Sequence, residues 1–76
     1  MNELDFIRDE LNKYDCEAYI NAEGMIRFKN SPSLCISFLG ETYSISYMDD
    51  TNVITASYTQ PLQVVYFILK GLWKWN

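Results

Sequence analysis

The stretch "MDDTN", residues 48 to 52, brings Asp49, Asp50 and Asn52 together, oxygen ligands of the kind that hold a divalent cation. Acidic residues in a short run between strand patterns are also ordinary turn formers, and the turn reading is the preferred one. Cys16 and Cys35 are the only thiols, and the chain contains no histidine. Neither thiol therefore has an imidazole to activate it, and the pair lacks the CxxC spacing that would hold zinc. The turns "NAEG" and "LGET" each carry a single glycine, unlike the loops that cradle phosphate. Tyr19 with Arg27 and Lys29 is an aromatic and basic group of the type on which nucleic-acid bases stack, but it stands in an acid-rich chain. These residue types point away from an enzyme and toward a binding protein, with no cofactor and no metal expected.

Charge is uneven along the 76 residues, whose net value is −4. Residues 1–23 hold Glu3, Asp5, Asp9, Glu10, Asp15, Glu17 and Glu23 against Arg8 and Lys13, while from Gln60 onward there are lysines and no acid. An acidic front does not suit direct contact with a phosphate backbone, which needs a basic surface. It suits a solvated helix face or a surface offered to a basic protein partner. Hydrophobic residues at 49% and aromatics at 16% are enough to build a core in a chain near the lower size limit for one domain, spanning 1–76. No apolar run reaches the length of about 18 residues that a membrane span requires. The charged opening "MNELDFIRDE" lacks the apolar stretch of an export signal. A cytoplasmic protein with reduced thiols is the expectation.

The elements that would position these groups follow from period. In "NELDFIRDELNKYD" Leu4, Ile7, Leu11 and Tyr14 fall on one helical face. Asn2 is the candidate cap, Asp9 and Lys13 are spaced for an ion pair, and Phe6 is a secondary core candidate. From Cys16 the period becomes two: "CEAYI", "MIRFK", "LCISFL", "TYSISY" and "VITASY" each alternate apolar with polar or small residues. Short turns join them: "NAEG" with Gly24 free to take positive φ, "NSPS" where Pro32 interrupts the run, "GE" at 40–41, and "DDTN". This predicts an antiparallel five-stranded meander covered on one face by an N-terminal and a C-terminal helix. The fold class is α+β, two-layer, in the order α-β-β-β-β-β-α.

The last helix, "TQPLQVVYFILKGLWKWN", starts at Thr59 or Gln60 with Pro61 in its first turn. At 100° per residue, Leu72, Val65, Leu69, Leu62, Trp73 and Tyr66 fill a sector of roughly 120°, which is the expected core face. Val64, Ile68 and Trp75 widen the apolar arc to roughly 200°, with Phe67 at the edge of the polar strip. That surplus is absorbed either by the first helix or by a second chain. Gly71 leaves open whether the helix runs on or stops after Lys70.

A short acidic helix "NELDFIRDELNKYD", an antiparallel sheet and an aromatic helix "VVYFILKGLWKW" together resemble the layout of small phage-encoded inhibitors of bacterial defence. The nearest are compact α+β anti-CRISPR proteins that occlude nucleic-acid sites on a CRISPR nuclease. The resemblance implies a non-enzymatic inhibitor from a phage or mobile element, acting in the host cytoplasm on a host protein such as a defence nuclease. It implies inhibitory carboxylates at Glu3, Asp5, Asp9 and Glu10 in the first helix and at Asp49 and Asp50 in the turn. Aromatic and apolar anchoring is expected from Val64, Phe67, Ile68 and Trp75. The alternatives are a homodimeric accessory protein that associates through the last helix, and an immunity-type protein that neutralises a toxin.

Overall fold

A computed structural model describes residues 3–72, the side chain of Leu72 excepted. Helix α1 (Glu3–Asn12) leads into β1 (Ala18–Ile20), β2 (Ile26–Phe28), β3 (Ser31–Leu39), β4 (Thr42–Asp49) and β5 (Asn52–Tyr58). Helix α2 (Pro61–Tyr66) follows and widens without a break into a π-helical segment, Phe67–Leu72. The five strands lie in the order β1-β2-β3-β4-β5, every neighbouring pair antiparallel. The α+β layout expected from the alternating runs is what the chain forms.

Alternation sorts the sheet into two faces. Ala18, Ile26, Phe28, Leu34, Ile36, Tyr43 and Ile45 are buried on the inner one, beneath Leu4, Ile7 and Leu11 of α1 and Val64, Val65 and Ile68 of the C-terminal helix. The outer face carries cross-strand rows, Ser37–Ser44–Ser57 and Arg27–Cys35–Ser46–Thr55, whose side chains are small or polar. Helix α1 packs on β1, β3 and α2, and α2 packs on β4 and β5, so both helices share one layer.

Turn chemistry explains the meander. Asn21 closes the first hairpin: its N–H donates to the Met25 carbonyl at 2.9 Å, and its Oδ1 accepts from the N–H groups of Glu23 and Met25. Gly24 supplies φ 81 there. Gly40 (φ 59) and Glu41 (φ 65) are both left-handed, as a two-residue type I′ connection requires.

Pro32 does not end a strand as expected; it lies inside β3. Pairing jumps from Arg27↔Cys35 to Phe28↔Ser31, so Pro32 sits in a bulge where its missing N–H breaks no ladder bond. Arg27 Nη2 donates to the Pro32 carbonyl at 2.6 Å and satisfies the acceptor that the bulge leaves over. That same bond engages Arg27 of the Tyr19–Arg27–Lys29 group.

The helices differ from expectation in more detail. Helix α1 stops at Asn12, so Tyr14 leaves the core face and is exposed. Of the two courses left open at Gly71, the last helix takes the one that runs through it. Its rotation about its own axis is the main correction. Val64 and Ile68, expected on the surplus arc, are fully buried at 0% exposure, whereas Leu62 (54%) and Tyr66 (61%), expected in the core, face solvent. Phe67 packs against Tyr58 and Tyr47, with ring centroids 5.6 and 6.1 Å away. Of the alternatives for the wide arc, the structure takes the intramolecular one, with α2 in the corner between α1 and the sheet. Two residues separate the end of β5 from the start of the helix. The Gln60 N–H donates to Gln63 Oε1 at 3.3 Å and Pro61 starts the helix. Trp73 and Trp75 lie outside the described residues, as does the Asn2 cap.

Candidate functional site

The acidic positions named from the sequence separate into different places. Glu3, Asp5, Asp9 and Glu10 all ride on α1, turned away from the buried Leu4, Ile7 and Leu11. Asp49 and Asp50 stand exposed at the β4–β5 turn, with Asp50 at φ 60, the backbone role an acidic residue commonly takes in a tight turn. Glu3 lies within electrostatic reach of Tyr43 at the opposite end of β4. From Tyr43 to Asp49 the strand runs roughly 20 Å at about 3.3 Å per residue. The structure therefore does not join the turn carboxylates to the helix carboxylates in one site.

On α1 the charges are partly paired. Arg8 contacts Asp9 at 3.1 Å and Asp5 at 3.5 Å, and Lys13 donates to Glu10 at 2.9 Å. The expected Asp9–Lys13 pair is replaced by Glu10–Lys13, whose bond and charge raise the Lys13 ammonium above its ordinary pKa. Exposed pairs of this kind hold side-chain geometry more than they add stability. Acids still outnumber bases on the helix, four to one over Glu3–Asn12.

The residue that sequence patterning undervalued is Phe6. It is 45% exposed, and helical spacing sets Glu3, Asp9 and Glu10 beside it at i−3, i+3 and i+4. A large apolar ring inside a carboxylate rim is a chemical arrangement that composition alone does not display. The clue in the sequence was its position off the Leu4–Ile7–Leu11 stripe. The apolar anchors expected from the last helix do not join it: Val64 and Ile68 are core, and Phe67 is stacked on the sheet tyrosines.

The thiols occupy contrasting places. Cys35 lies on the outer sheet face, where its Sγ–H donates to Met25 Sδ at 3.5 Å. Cys16 is buried between Asp15 (φ 60) and Glu17 (φ 54), and burial, with a smaller contribution from the Asp15 charge, pushes its thiol from 9.0 up to about 11. Burial, then the Glu3 charge, also lifts the Tyr43 phenol above its usual value. Both groups hold their protons more tightly in the folded than in the unfolded chain. The stability that the thiol adds is whole below its unfolded value of 9.0 and is lost as pH rises toward 11, and that of the phenol is lost as pH rises above 10.0. The urea midpoint should therefore fall across that alkaline window, and fall less steeply in Cys16→Ala. An identical slope in both proteins would remove Cys16 from the account.

Among the described residues no three His, Cys, Asp or Glu side chains converge as a metal site would need, and no helix is long and apolar enough to cross a membrane. Comparison with protein-family models, with curated proteins and with solved structures returned no match for this chain.

Proposed function

We propose that the protein is a non-enzymatic binding protein that occludes a basic surface on a protein partner with the outer face of α1. The observation that supports this most directly is Phe6, half-exposed and flanked by Glu3, Asp9 and Glu10. Aromatic anchors surrounded by polar rims are where binding energy concentrates, and a net acidic rim selects and steers a basic counterpart. The layout resemblance to phage-encoded inhibitors supplies the partner class: a host factor whose own ligand is acidic, such as a defence nuclease. On this reading the protein works in the host cytoplasm and needs no cofactor.

Immobilised wild-type protein should retain a specific host protein at low salt and release it at high salt, because exposed charge pairs are screened. Phe6→Ala should weaken that complex about thirtyfold, the ~2 kcal/mol of an aromatic hot spot. Asp9→Lys should weaken it further and flatten the salt dependence. Retention that neither substitution changes would assign the partner to another surface and end the α1 reading.

A further inference from the structure

The two edges of the sheet are built differently. At one edge, β1 is only three residues long. Asn12 covers it: its Oδ1 accepts from the Ala18 N–H at 2.7 Å and its Nδ2 donates to the Ala18 carbonyl at 3.0 Å. A side-chain amide thus occupies the place of a neighbouring strand. At the other edge, β5 runs seven residues, paired with β4 without a register shift from Tyr43↔Tyr58 to Asp49↔Asn52. No strand lies on its far side among the described residues. Antiparallel pairing turns the N–H and C=O groups of alternate β5 residues away from β4.

Soluble proteins normally blunt such an edge with Lys, Pro, a bulge or a cover. Strand β5, "NVITASY", carries no charge, no proline and no bulge. Its outer Val53 is 66% exposed, and its inner residues Ile54 and Ala56 are left only partly buried.

We propose that β5 is a self-association surface, pairing antiparallel with β5 of a second copy about a two-fold axis at Thr55, so that one sheet runs through both. Charge selects the occupant. The chain has net charge −4 with an acidic α1, yet no charged residue occurs from Thr51 to Leu69. Two copies can meet at β5 without acid facing acid. The antiparallel sense also lays Asp50 of one copy, with Asp49 next to it, beside Thr59–Gln60 of the other, whereas a parallel sense would set the acidic turns together. The strand is self-complementary about its middle residue. Thr55 meets Thr55, Val53 meets Ser57 on the outer face, and Ile54 meets Ala56 on the inner face, large against small each time. Edge pairing would also complete the burial of Ile54 and Ala56. A contact of one strand is small beside the roughly 1,600 Å² of a standard interface, so the dimer is expected to depend on concentration.

Sedimentation equilibrium from low micromolar concentration upward tests this. Wild type should pass from monomer to dimer, and Thr55→Lys should shift that transition to at least about tenfold higher concentration. Ser57→Lys, also exposed, should act in the same direction, with circular dichroism confirming that both variants fold. Tyr66→Lys, on the exposed face of α2, should leave the transition where it is. The axis is read by oxidising Thr55→Cys in a Cys35→Ser background. Paired residues stand with Cα atoms about 5.5 Å apart or less, within disulfide range, so a covalent dimer should form. Val53→Cys in the same background should form little, because its partner is Ser57. A monomer at every concentration, or a dimer indifferent to both lysine substitutions, overturns the proposal. A dimer lost only in Tyr66→Lys overturns it in favour of the helix.

Discussion

Ile68→Ala is expected to destabilise the protein by about 2–5 kcal/mol, while Tyr66→Ala should change stability by no more than about 0.5 kcal/mol. The residues are neighbours on a helix whose hydrophobicity alone would assign them the reverse roles. Ile68 is completely buried in the core cluster that also holds Val64, Val65, Ile36 and Ile45, whereas Tyr66 faces solvent with the Lys70 ammonium 5.8 Å from its ring centroid. Truncating Ile68 removes its burial energy and leaves a void that close-packed neighbours fill only in part. A domain of this size has a total stability on the order of 5–10 kcal/mol, so the loss takes a large share of it. Urea unfolding of both variants is the measurement. Equal small effects, with weakened association in Ile68→Ala instead, would return Ile68 to an interface and contradict the packing described above.

Asn12→Ala should cost about 1–3 kcal/mol, although Asn12 is a surface residue at the end of a short helix. Both hydrogen bonds to Ala18 disappear at once, and the N–H and carbonyl they satisfied are partly buried. The substitution does more than trim a contact. The chain between α1 and β1 holds Asp15 and Glu17 in left-handed conformations, each unfavourable by about 1–2 kcal/mol for a side-chain-bearing residue. Something must hold that corner closed. The Asn12–Ala18 pair does so, helped by Asn30 Nδ2 donating to Glu17 Oε2 at 2.7 Å. Hydrogen exchange at the Ala18 amide should accelerate strongly in Asn12→Ala, beyond what the global loss of stability explains. Asn12→Asp, which keeps the acceptor and loses the donor, should fall between. An Ala18 amide that stays slow in the alanine variant would mean that the corner is held by other groups.

The candidate sites were legible to different degrees. Acid clustering in the first helix is a matter of counting, and the carboxylates do share α1. Their separation from Asp49 and Asp50 was not legible, because it depends on which end of β4 the N-terminus of α1 overlies. Phe6 was visible as a residue off the main stripe; its rim of Glu3, Asp9 and Glu10 follows from spacing only once the buried face is known. That β5 stands at an edge follows from the meander, but that Asn12 covers β1 while no strand covers β5 among the described residues could not be read, since such a cover is not a property of the segments themselves.

What the sequence by itself determined was local. Period-two alternation from Cys16 to Tyr58 specified strands with one apolar face. Gly24 and the Gly40–Glu41 pair specified tight reversals, and the short links between strands left an antiparallel meander as the simplest connection. These features depend on residues within a few positions of one another. Tertiary structure alone decided the rotation of the last helix, its widening into a π-helical segment and the placement of Pro32 in a bulge. It also decided that Asn12 caps the β1 edge while no strand pairs with the far side of β5 among the described residues. Each goes with contacts that exist only once the elements are packed: Phe67 beside Tyr47 and Tyr58, Arg27 on the Pro32 carbonyl, Asn12 on Ala18. A hydrophobic wheel records how much of a helix is apolar. Which part of that surface is buried depends on the neighbours the fold supplies.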